Sequence, residues 1–452
     1  MARTTRTTQS KHASGSTGRV GARQGLGLFD GPREVALPRM VMVLCVFILT
    51  MLGLVMVFSS SSIIAIAENA SPVSYVVKQL GIALVSIALC FVIARFIPYY
   101  VWLGRLLWVV WAAVMVLLLL TAVIGTSELG AQRWLILGPI SFQPSEFAKP
   151  AFMLMAARIM YKARIETYQP VRTALMLGGL VLIPLIILYA TQSDLGTTVI
   201  CLVGLLTVLW LCNVRVWVMV LICVVIVLFG LVAMFGVGYR ADRLAFLHPE
   251  EDPLGSGYQL IRSFYAFGEG GLLGVGLGNS SEKYLYLPEA ETDFIFAIIG
   301  EELGLIGALV VVALFLGILW AGLRIARNAP DLFGTMIAGS CTVMLVFQAF
   351  LNIACVVGLL PTTGKPLPFI SSGGSALLGS YLLVGLVLSV SFASGDAQGI
   401  FERRREDLRL VRQEGERSQG SRMRSGSSAG RSASGRGAVS RSASGRSAVA
   451  RR

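Results

Sequence analysis

The chain has 452 residues, of which 55% are hydrophobic and 14% charged, and its mean hydropathy is +0.74. A membrane span needs ~20 consecutive, mostly apolar residues, and the many such runs exclude a soluble globular protein. The net charge of +13 lies mainly in the two tails, and because neither tail alternates its arginines with aromatic residues, no nucleic-acid partner is predicted.

Ten apolar runs follow one another along the chain, and each is expected to be a transmembrane helix because open backbone cannot face lipid. The predicted fold class is therefore an all-α polytopic membrane protein with ten transmembrane helices. An even number of spans places both termini on one side, and the arginine-rich tails assign that side to the cytoplasm. The runs cover residues 40–58, 79–97, 101–124, 147–161, 173–191, 195–213, 216–237, 294–323, 333–358 and 376–394.

These runs divide the chain into three parts. Residues 1–39 form a basic cytoplasmic arm that is expected to be disordered, and residues 40–394 form the membrane domain. Residues 395–452 form a cytoplasmic tail rich in Arg, Ser and Gly, where disorder is predicted because these residues cannot build a core. The tail is either a lipid-surface or partner-binding arm or a solvated segment without a specific role. The first run, rather than a cleavable signal peptide, is expected to target the chain to the membrane.

Four segments between the spans are expected on the outer, extracytoplasmic face, and the longest, residues 238–292, joins the seventh and eighth spans. Chemistry is expected on this face because the inner loops are short and basic. The glycine-rich stretch 268–278 lies at this face, but its spacing does not match a nucleotide-binding loop, so close backbone packing is the better interpretation. The other outer segments are 59–78, 125–146 and 359–375.

An acidic cluster runs directly into the eighth span, and Asp293 is its last member. A carboxylate at the edge of a span is costly to desolvate, so its presence suggests a function. Desolvation also raises the pKa of a carboxylate, which makes it a better general base. The alternative is that Asp293 only caps the helix. Glu301 lies about 80° further round an unbroken helix, so no paired-carboxylate site is predicted.

Several cations lie near the outer edge, and together they suit a phosphate or pyrophosphate group. A local salt bridge is the alternative for each, and Lys149 in particular can pair with Glu146 within one helical turn. Asp194 interrupts the apolar pattern between the fifth and sixth spans, where an Asx-type turn explains it at least as well as catalysis does. The cations are Arg133, Lys149, Arg240, Arg243, Arg262, Lys283 and Lys365.

The last outer segment contains three prolines and ends in residues 371–374 (SSGG), so it is expected to be irregular backbone at the membrane edge. The tenth span begins directly afterwards with its N-terminus facing outward. Such a terminus offers free N–H groups and the positive end of the helix dipole to an anion. Ser371, Gly373 and Gly374 are therefore predicted substrate contacts, with a turn that only packs as the alternative.

Short motifs stand in a fixed order along residues 40–394. They occupy residues 58–62 (FSSSS), 130–134 (GAQRW), 143–149 (QPSEFAK), 192–196 (QSDLG), 257–259 (GYQ), 287–290 (LPEA, after Lys283), 292–297 (TDFIFA), 300–304 (GEELG), 366–371 (PLPFIS) and 373–375 (GGS). Together they resemble the FtsW/RodA/SpoVE (SEDS) family of peptidoglycan polymerases, and most closely its FtsW branch.

The resemblance implies that Asp293 is the catalytic aspartate. Four residues depart from the family pattern and leave substrate detail open: Glu291 stands for a usual His, Arg262 for Gln, Lys365 for an apolar residue and Ser372 for Tyr. The complete predicted substrate-binding set, of which the resemblance implies the first five, is Arg133, Glu146, Lys149, Asp194, Lys283, Glu289, Lys365, Ser371, Gly373 and Gly374.

The activity implied by the resemblance is that of an inverting peptidoglycan glycosyltransferase in the bacterial plasma membrane, which polymerises lipid II outside. The 4-hydroxyl of the acceptor's GlcNAc attacks the anomeric carbon of the lipid-linked donor, undecaprenyl pyrophosphate leaves, and the α-linked donor gives a β-1,4 product. Such a displacement needs one base and a stabilised leaving group. No metal site is predicted, although a divalent cation, Mg²⁺ or Mn²⁺, could help to hold the pyrophosphate.

The implied partners are a class B penicillin-binding transpeptidase and other membrane proteins of the divisome, because the chain lacks the combination of SxxK and KTG motifs that cross-linking requires. The long polar extensions favour the division polymerase, with elongation and sporulation polymerases as alternatives. A lipid II flippase and a pure scaffold are the alternatives from other classes. A flippase would need its polar path to continue to the inner face, where Arg158 is the strong candidate.

Overall fold

Long apolar helices make up most of the fold, and α2, α4 and α5 each begin with proline, whose fixed φ suits the first turn. The computed structural model describes residues 32–67, 71–128, 131–137, 140–166, 169–224, 249–252, 255 and 257–395. The helices are α1 (Arg33–Ala67), α2 (Pro72–Phe96), α3 (Arg105–Ile124), α4 (Pro144–Ile165), α5 (Pro170–Gln192, with a π-turn at Gly178–Leu182), α6 (Leu195–Leu211), α7 (Tyr258–Gly270), α8 (Ile295–Arg327), α9 (Leu332–Val356) and α10 (Gly374–Gly395).

Within the described residues, seven helices are long and apolar enough to cross a membrane: α1, α2, α3, α5, α8, α9 and α10. α6 is apolar but shorter, and α4 carries several charged residues. The predicted seventh span is helical over residues 216–224, and its remainder lies outside the described residues. The protein is therefore mostly helical, and the predicted count of ten spans is not confirmed.

The outer segment between α3 and α4 corrects the all-α prediction, because it forms a small antiparallel sheet. β2 lies in the middle and pairs with β3 through Leu135 opposite Phe142. This segment joins α3 and α4, and pairing of its neighbouring strands satisfies backbone N–H and C=O groups without a helix. The strands are β1 (Thr126–Glu128), β2 (Ala131–Leu137) and β3 (Ile140–Phe142).

The start of α1 corrects the predicted boundary of the basic arm. The helix begins at Arg33 rather than at Met40, and Arg39 is fully buried within it. The Arg39 guanidinium donates to the Ser391 hydroxyl at 3.1 Å and to the Ser391 carbonyl at 3.0 Å, and it lies 4.3 Å from the Phe392 ring centroid. The N-terminal part of α1 therefore contacts the C-terminal end of α10.

The end of α1 corrects the predicted first outer segment, residues 59–78. The hydroxyls of Ser60 and Ser61 donate to carbonyls four residues earlier, which satisfies these side chains inside a helix. The helix therefore continues through the serines to Ala67, and α2 begins at Pro72. Of the predicted tails, 1–39 and 395–452, residues 1–31 and 396–452 lie outside the described residues.

Helices α9 and α10 are the most buried of the candidate spans, whereas α3 and α5 expose most of their apolar surface, as lipid-facing helices do. α1 packs against α2 and α8, α8 packs against α7 and α9, and α4 packs against α3, α6 and α9. The polar residues described below lie at one end of this bundle, against α9 and the start of α10.

α8 is interrupted at Gly304, which has a φ of 68°. The glycine-rich stretch after α7 fills the gap: the Val275 N–H donates to the Glu301 carbonyl at 2.9 Å, and the Gly271 carbonyl accepts from the Leu305 N–H at 2.9 Å. A Cβ on Gly304 would collide with backbone atoms of this stretch. The predicted close backbone packing of these glycines is confirmed, and the long outer segment contains a helix, α7, that was not predicted.

Candidate functional site

Residues 289–293, hereafter the acidic turn, immediately precede α8. The helix begins at Ile295 with Phe294 at its N-cap and without a capping side chain, so the alternative that Asp293 caps the helix is wrong. Asp293 is partly exposed, and within the described residues no group hydrogen-bonds to its carboxylate. This carboxylate is therefore available to a bound molecule.

Asp293 has the electrostatic character of a general base. Burial raises the pKa of its carboxyl to about 6, and the neighbouring charge of Glu289 adds to the increase. The cations Lys365 and Arg133 lower the pKa, and the negative charge of Asp194 raises it. A base with a pKa near 6 is ionised at neutral pH and still accepts a proton readily.

β2 carries Arg133, whose guanidinium lies near Asp293. Its Nε donates to the Gln192 carbonyl at 3.0 Å and its Nη2 to the Ser193 carbonyl at 2.9 Å, which fixes the guanidinium plane. A Cβ atom placed on Gly364 would lie 3.7 Å from Arg133 Nη1 and 3.5 Å from Asp293 Oδ2, so both atoms border the same space. The third guanidinium nitrogen therefore faces the same space as the catalytic candidate.

A buried group of four charged side chains lies behind Asp293, and we call it the charge quartet: Glu146, Lys149, Asp194 and Lys365. Lys149 Nζ lies 2.6 Å from Glu146 Oε2, which confirms the predicted pairing within one turn. Lys365 Nζ lies 2.7 Å from Asp194 Oδ2 and 3.8 Å from Glu146 Oε1. Two positive and two negative groups thus compensate one another, and both lysine side chains are buried.

Asp194 is also the N-cap of α6, which is a local structural role like that of the Asx-type turn given as the alternative to catalysis. Its Oδ1 accepts from the Thr197 backbone N–H at 3.0 Å, and its Oδ2 accepts from the hydroxyls of Thr197 and Ser145. Burial by itself would raise the pKa of Asp194, but the charges of Lys365 and Arg133, together with hydrogen bonds from Lys365 and the Thr197 N–H, outweigh burial, and the pKa lies below its ordinary value. Asp194 is therefore ionised and fully engaged in contacts.

Lys283 lies in a second buried cluster, at the break in α8. Its ammonium lies 3.1 Å from Glu302 Oε1 and donates to the Ser59 hydroxyl at 3.2 Å. The adjacent Glu301 carboxylate accepts from the hydroxyl of Ser280 at 2.6 Å and from nearby backbone N–H groups. The structure therefore separates Lys283 from the charge quartet and gives it a carboxylate partner of its own.

The last outer segment is tied to the acidic turn. The Ser371 hydroxyl accepts from the Leu367 N–H at 2.8 Å and donates to the Thr292 carbonyl at 2.6 Å, so both of its functions are occupied. A Cβ on Gly374 would lie 3.0 Å from a methyl group of Ile82 in α2, so this glycine allows close helix packing. Gly373 is partly exposed, at the start of α10.

The sequence interpretation missed two side chains of α9. Asn352 Nδ2 donates to the carbonyl of Asp293 at 2.7 Å and to that of Lys365 at 2.8 Å. Gln348 accepts from Lys149 Nζ at 2.6 Å and donates to the Pro366 carbonyl at 3.0 Å. The signal was present, because two amides four residues apart inside an apolar helix share one face.

Two of the departures from the family pattern, Glu291 and Ser372, meet at the acidic turn, whereas Arg262 lies in α7. Arg262 Nε lies 2.7 Å from Glu282 Oε2, and its guanidinium lies 4.6 Å from the Tyr286 ring centroid. The Ser372 N–H donates to the Glu291 carbonyl at 2.9 Å. Arg240 and Arg243 lie outside the described residues. In the described part of the chain, no group of three or more His, Cys, Asp or Glu side chains could hold a metal ion.

Comparisons with known proteins agree with this architecture. The family model described as cell cycle protein, FtsW/RodA/SpoVE, matches residues 39–395. Stage V sporulation protein E of Bacillus subtilis (strain 168) is 37% identical over 364 residues, which cover 78% of this chain and 97% of that protein. A Trichlorobacter lovleyi protein named probable peptidoglycan glycosyltransferase FtsW is 39% identical over 383 residues, with coverages of 81% and 96%.

Two solved structures are also similar to this chain. A chain of a peptidoglycan synthase complex, described as coordinating polymerization and crosslinking, has a TM-score of 0.62 and 26% identity and covers 78% of this chain and 97% of its own length. The rod shape determining protein RodA of Thermus thermophilus has a TM-score of 0.57 and 25% identity, with coverages of 77% and 95%. This chain is a multi-pass membrane protein, and it belongs to the FtsW/RodA/SpoVE family.

Proposed function

We propose that this chain is a peptidoglycan glycosyltransferase that polymerises lipid II into β-1,4-linked glycan strands, with Asp293 as its general base. The activity is supported by family membership and by the relatives named probable peptidoglycan glycosyltransferase FtsW. The observation that carries the residue assignment is the Asp293 carboxylate, which is partly exposed, free of hydrogen bonds within the described residues and raised in pKa to about 6.

The reaction that this geometry supports is a single displacement. The Asp293 carboxylate takes the proton of the acceptor 4-hydroxyl as that oxygen forms its bond to the donor's anomeric carbon. The bond between this carbon and the pyrophosphate oxygen breaks, and undecaprenyl pyrophosphate leaves with the electron pair. Attack opposite to the leaving group converts an α-linked donor into a β-linked product, so no covalent enzyme intermediate is needed.

Charge on the departing pyrophosphate needs a cation that is not already neutralised. Lys149, Lys283 and Lys365 are buried and paired with carboxylates. Arg133 is partly exposed, and its Nη1 faces the space above Asp293. We assign pyrophosphate contact to Arg133 and a supporting role to the charge quartet, which holds the last outer segment in place. Glu289, Gly373 and any divalent cation remain predictions for substrate contact.

The transport alternative is weaker because the charged residues that would line a path are engaged with one another. Lys149 and Asp194 belong to the neutral charge quartet, and the Glu301 and Glu302 carboxylates are held at the break in α8. Arg158 lies 5.2 Å from the Trp108 ring centroid, in a cation–π contact. Buried, compensated charges favour a rigid scaffold for a reaction over a hydrated channel.

The proposal extends to cellular context. We place both termini in the cytoplasm and Asp293 on the extracytoplasmic face, as the positive-inside rule predicts. We assign the chain to division, with a class B penicillin-binding transpeptidase as its partner. The partner is supported by the similar synthase complex that is described as coordinating polymerization and crosslinking. Cysteine labelling at the exposed Glu250 and at residue 420 tests the topology, and labelling of residue 420 from outside intact cells would contradict it.

The activity test uses the purified full-length chain, alone and with a class B transpeptidase, on fluorescent lipid II. We expect a ladder of uncross-linked strands that a β-1,4-specific muramidase digests, and no ladder from Asp293→Asn. Glu250→Gln, which neutralises an exposed acid of the same outer segment, serves as the matched control. Strands from Asp293→Asn at the wild-type rate would refute the base assignment, and movement of lipid II without strands would favour transport.

A further inference from the structure

The acidic turn is held by its backbone. Three consecutive carbonyls each accept one hydrogen bond from α9 or from the last outer segment. The Ser372 N–H donates to the Glu291 carbonyl at 2.9 Å, the Ser371 hydroxyl to the Thr292 carbonyl at 2.6 Å, and Asn352 Nδ2 to the Asp293 carbonyl at 2.7 Å. The position of Asp293 is therefore set through its main chain, while its carboxylate stays unbound within the described residues.

Asn352 is the member of this set that links two functional groups. Its second amide hydrogen donates to the Lys365 carbonyl at 2.8 Å, so one side chain spans the acidic turn and the segment that carries the Lys365 ammonium. Asn352 is almost fully buried, and its Oδ1 has no partner within the described residues. The amide is thus retained for its two N–H donors, since a flipped amide would point its oxygen at two carbonyls.

The support behind Asn352 is rigid. α9 is one of the most buried helices, and one turn earlier Gln348 fixes the next carbonyl of the same segment, that of Pro366. A donor that projects from such a helix can hold a turn to within a fraction of an ångström, whereas a solvent-exposed loop cannot. Catalysis by a positioned base depends steeply on such placement.

We propose that Asn352 is a positioning residue, which fixes the Asp293 backbone so that the unbound carboxylate faces the space shared with Arg133 Nη1. The inference rests on the proposed function, since it presupposes that Asp293 is the base. Asn352 does not touch the substrate. Without it the acidic turn relaxes towards solvent, and the base loses both its alignment and its buried surroundings.

The test compares Asn352→Ala with Asn328→Ala in the full-length chain, using lipid II polymerisation from pH 4.5 to 8. Asn328 is a matched control, because its amide donates to the Glu34 carbonyl at 3.0 Å, at the end of α8 far from Asp293 along the chain. For Asn352→Ala we expect kcat to fall by roughly 10- to 100-fold, with KM within about twofold of wild type. Asn328→Ala should leave both parameters unchanged.

The pH profile separates positioning from general support of the fold. The charged groups that face Asp293 are Glu289 of its own turn, Lys365 of the last outer segment, Arg133 of β2 and Asp194 at the start of α6. Exposure of Asp293 to water should lower the pKa of its carboxyl from about 6, so the acid limb of kcat/KM should lie at lower pH than in the wild type. A folded Asn352→Ala variant with a normal kcat would overturn the proposal. So would a variant whose activity loss comes entirely from a higher KM and whose kcat/KM shows the same acid limb as the wild type.

Ser371→Ala keeps the inference testable if Asn352→Ala does not fold. It removes only the bond to the Thr292 carbonyl and the one from Leu367, so we expect a smaller loss of kcat with the same downward shift of the acid limb. An unshifted limb there would also count against backbone positioning. Asp293→Asn is measured in the same assay. If Asp293→Asn is active, the proposed function fails. If Asp293→Asn is inactive and Asn352→Ala is normal, only the positioning role of Asn352 is rejected.

Discussion

Two acidic regions near the N-terminal end of α8 use the same chemical group in opposite ways. At the break in the helix, the Glu301 carboxylate accepts from Ser280 and from backbone N–H groups, and Glu302 is paired with Lys283. In the acidic turn the carbonyls are bound and the Asp293 carboxylate is not. A carboxylate whose oxygens accept hydrogen bonds from the protein stabilises the structure. A carboxylate that is positioned through its backbone and whose oxygens are free can react.

The largest expected effect comes from a change to Asp293, the carboxylate that is free to react. Asp293→Asn keeps the size and the backbone contacts of the side chain but cannot accept a proton. We expect glycan synthesis from lipid II to fall at least ~100-fold, the usual scale for loss of a general base, with an unchanged thermal unfolding midpoint in detergent. A rate within a few-fold of wild type would mean that another group removes the proton.

A change of pH tests the same carboxylate without a mutation. Burial raises its pKa to about 6, so the base is ionised above that pH and becomes protonated below it. At pH 5 roughly one-tenth of the carboxyl is ionised, and we expect kcat/KM to be about 10-fold lower than at pH 8. An acid limb near pH 4 would show that Asp293 behaves as an exposed aspartate.

Loss of the Lys365 charge is expected to have an intermediate effect. Lys365→Met removes a cation that lowers the pKa of Asp293, so the acid limb of kcat/KM should move to higher pH and the rate at pH 7 should fall several-fold. It also leaves Asp194 without its ammonium partner, which costs on the order of 3–5 kcal/mol of stability in a buried site.

The control for this variant is Lys162→Met. Lys162 forms an exposed pair with Glu166 at 3.3 Å, four residues away on α4. Exposed pairs of this kind contribute ~0.3–0.5 kcal/mol, so neither the pH profile nor the unfolding midpoint should change measurably. Equal effects of the two lysine variants would indicate a general response to loss of charge, and the specific role of Lys365 would be rejected.

The smallest effect on the rate is expected from a change to Glu301, whose carboxylate is held at the break in α8. Glu301→Gln retains one acceptor oxygen but removes the charge that holds the Ser280 hydroxyl and the Ser281 N–H. We expect a stability loss of about 1–3 kcal/mol and a polymerisation rate per folded molecule within about twofold of wild type. A folded Glu301→Gln variant as inactive as Asp293→Asn would erase the distinction between the two regions.

The sequence by itself determined the class of protein and several local contacts around Asp293 and Glu146. Apolar runs of the right length require membrane helices, because backbone polar groups cannot remain unsatisfied in lipid. The position of Asp293 before an apolar helix and the spacing of Glu146 and Lys149 on one turn are local features, and local geometry follows from residue spacing. The pairing of Glu146 with Lys149 was therefore predictable.

Tertiary structure decided which polar groups remain free. Lys365 is bound by Asp194, Lys283 by Glu302 and Ser371 by the Thr292 carbonyl. Each of these contacts joins residues far apart in the chain, so no spacing rule predicts them. Before folding every such side chain is an equal candidate for substrate contact. The packing of α8, α9 and the last outer segment satisfies most of these side chains internally and leaves the Asp293 carboxylate unbound within the described residues. The physical reason is that a buried charge must find a partner, whereas a partly exposed one need not.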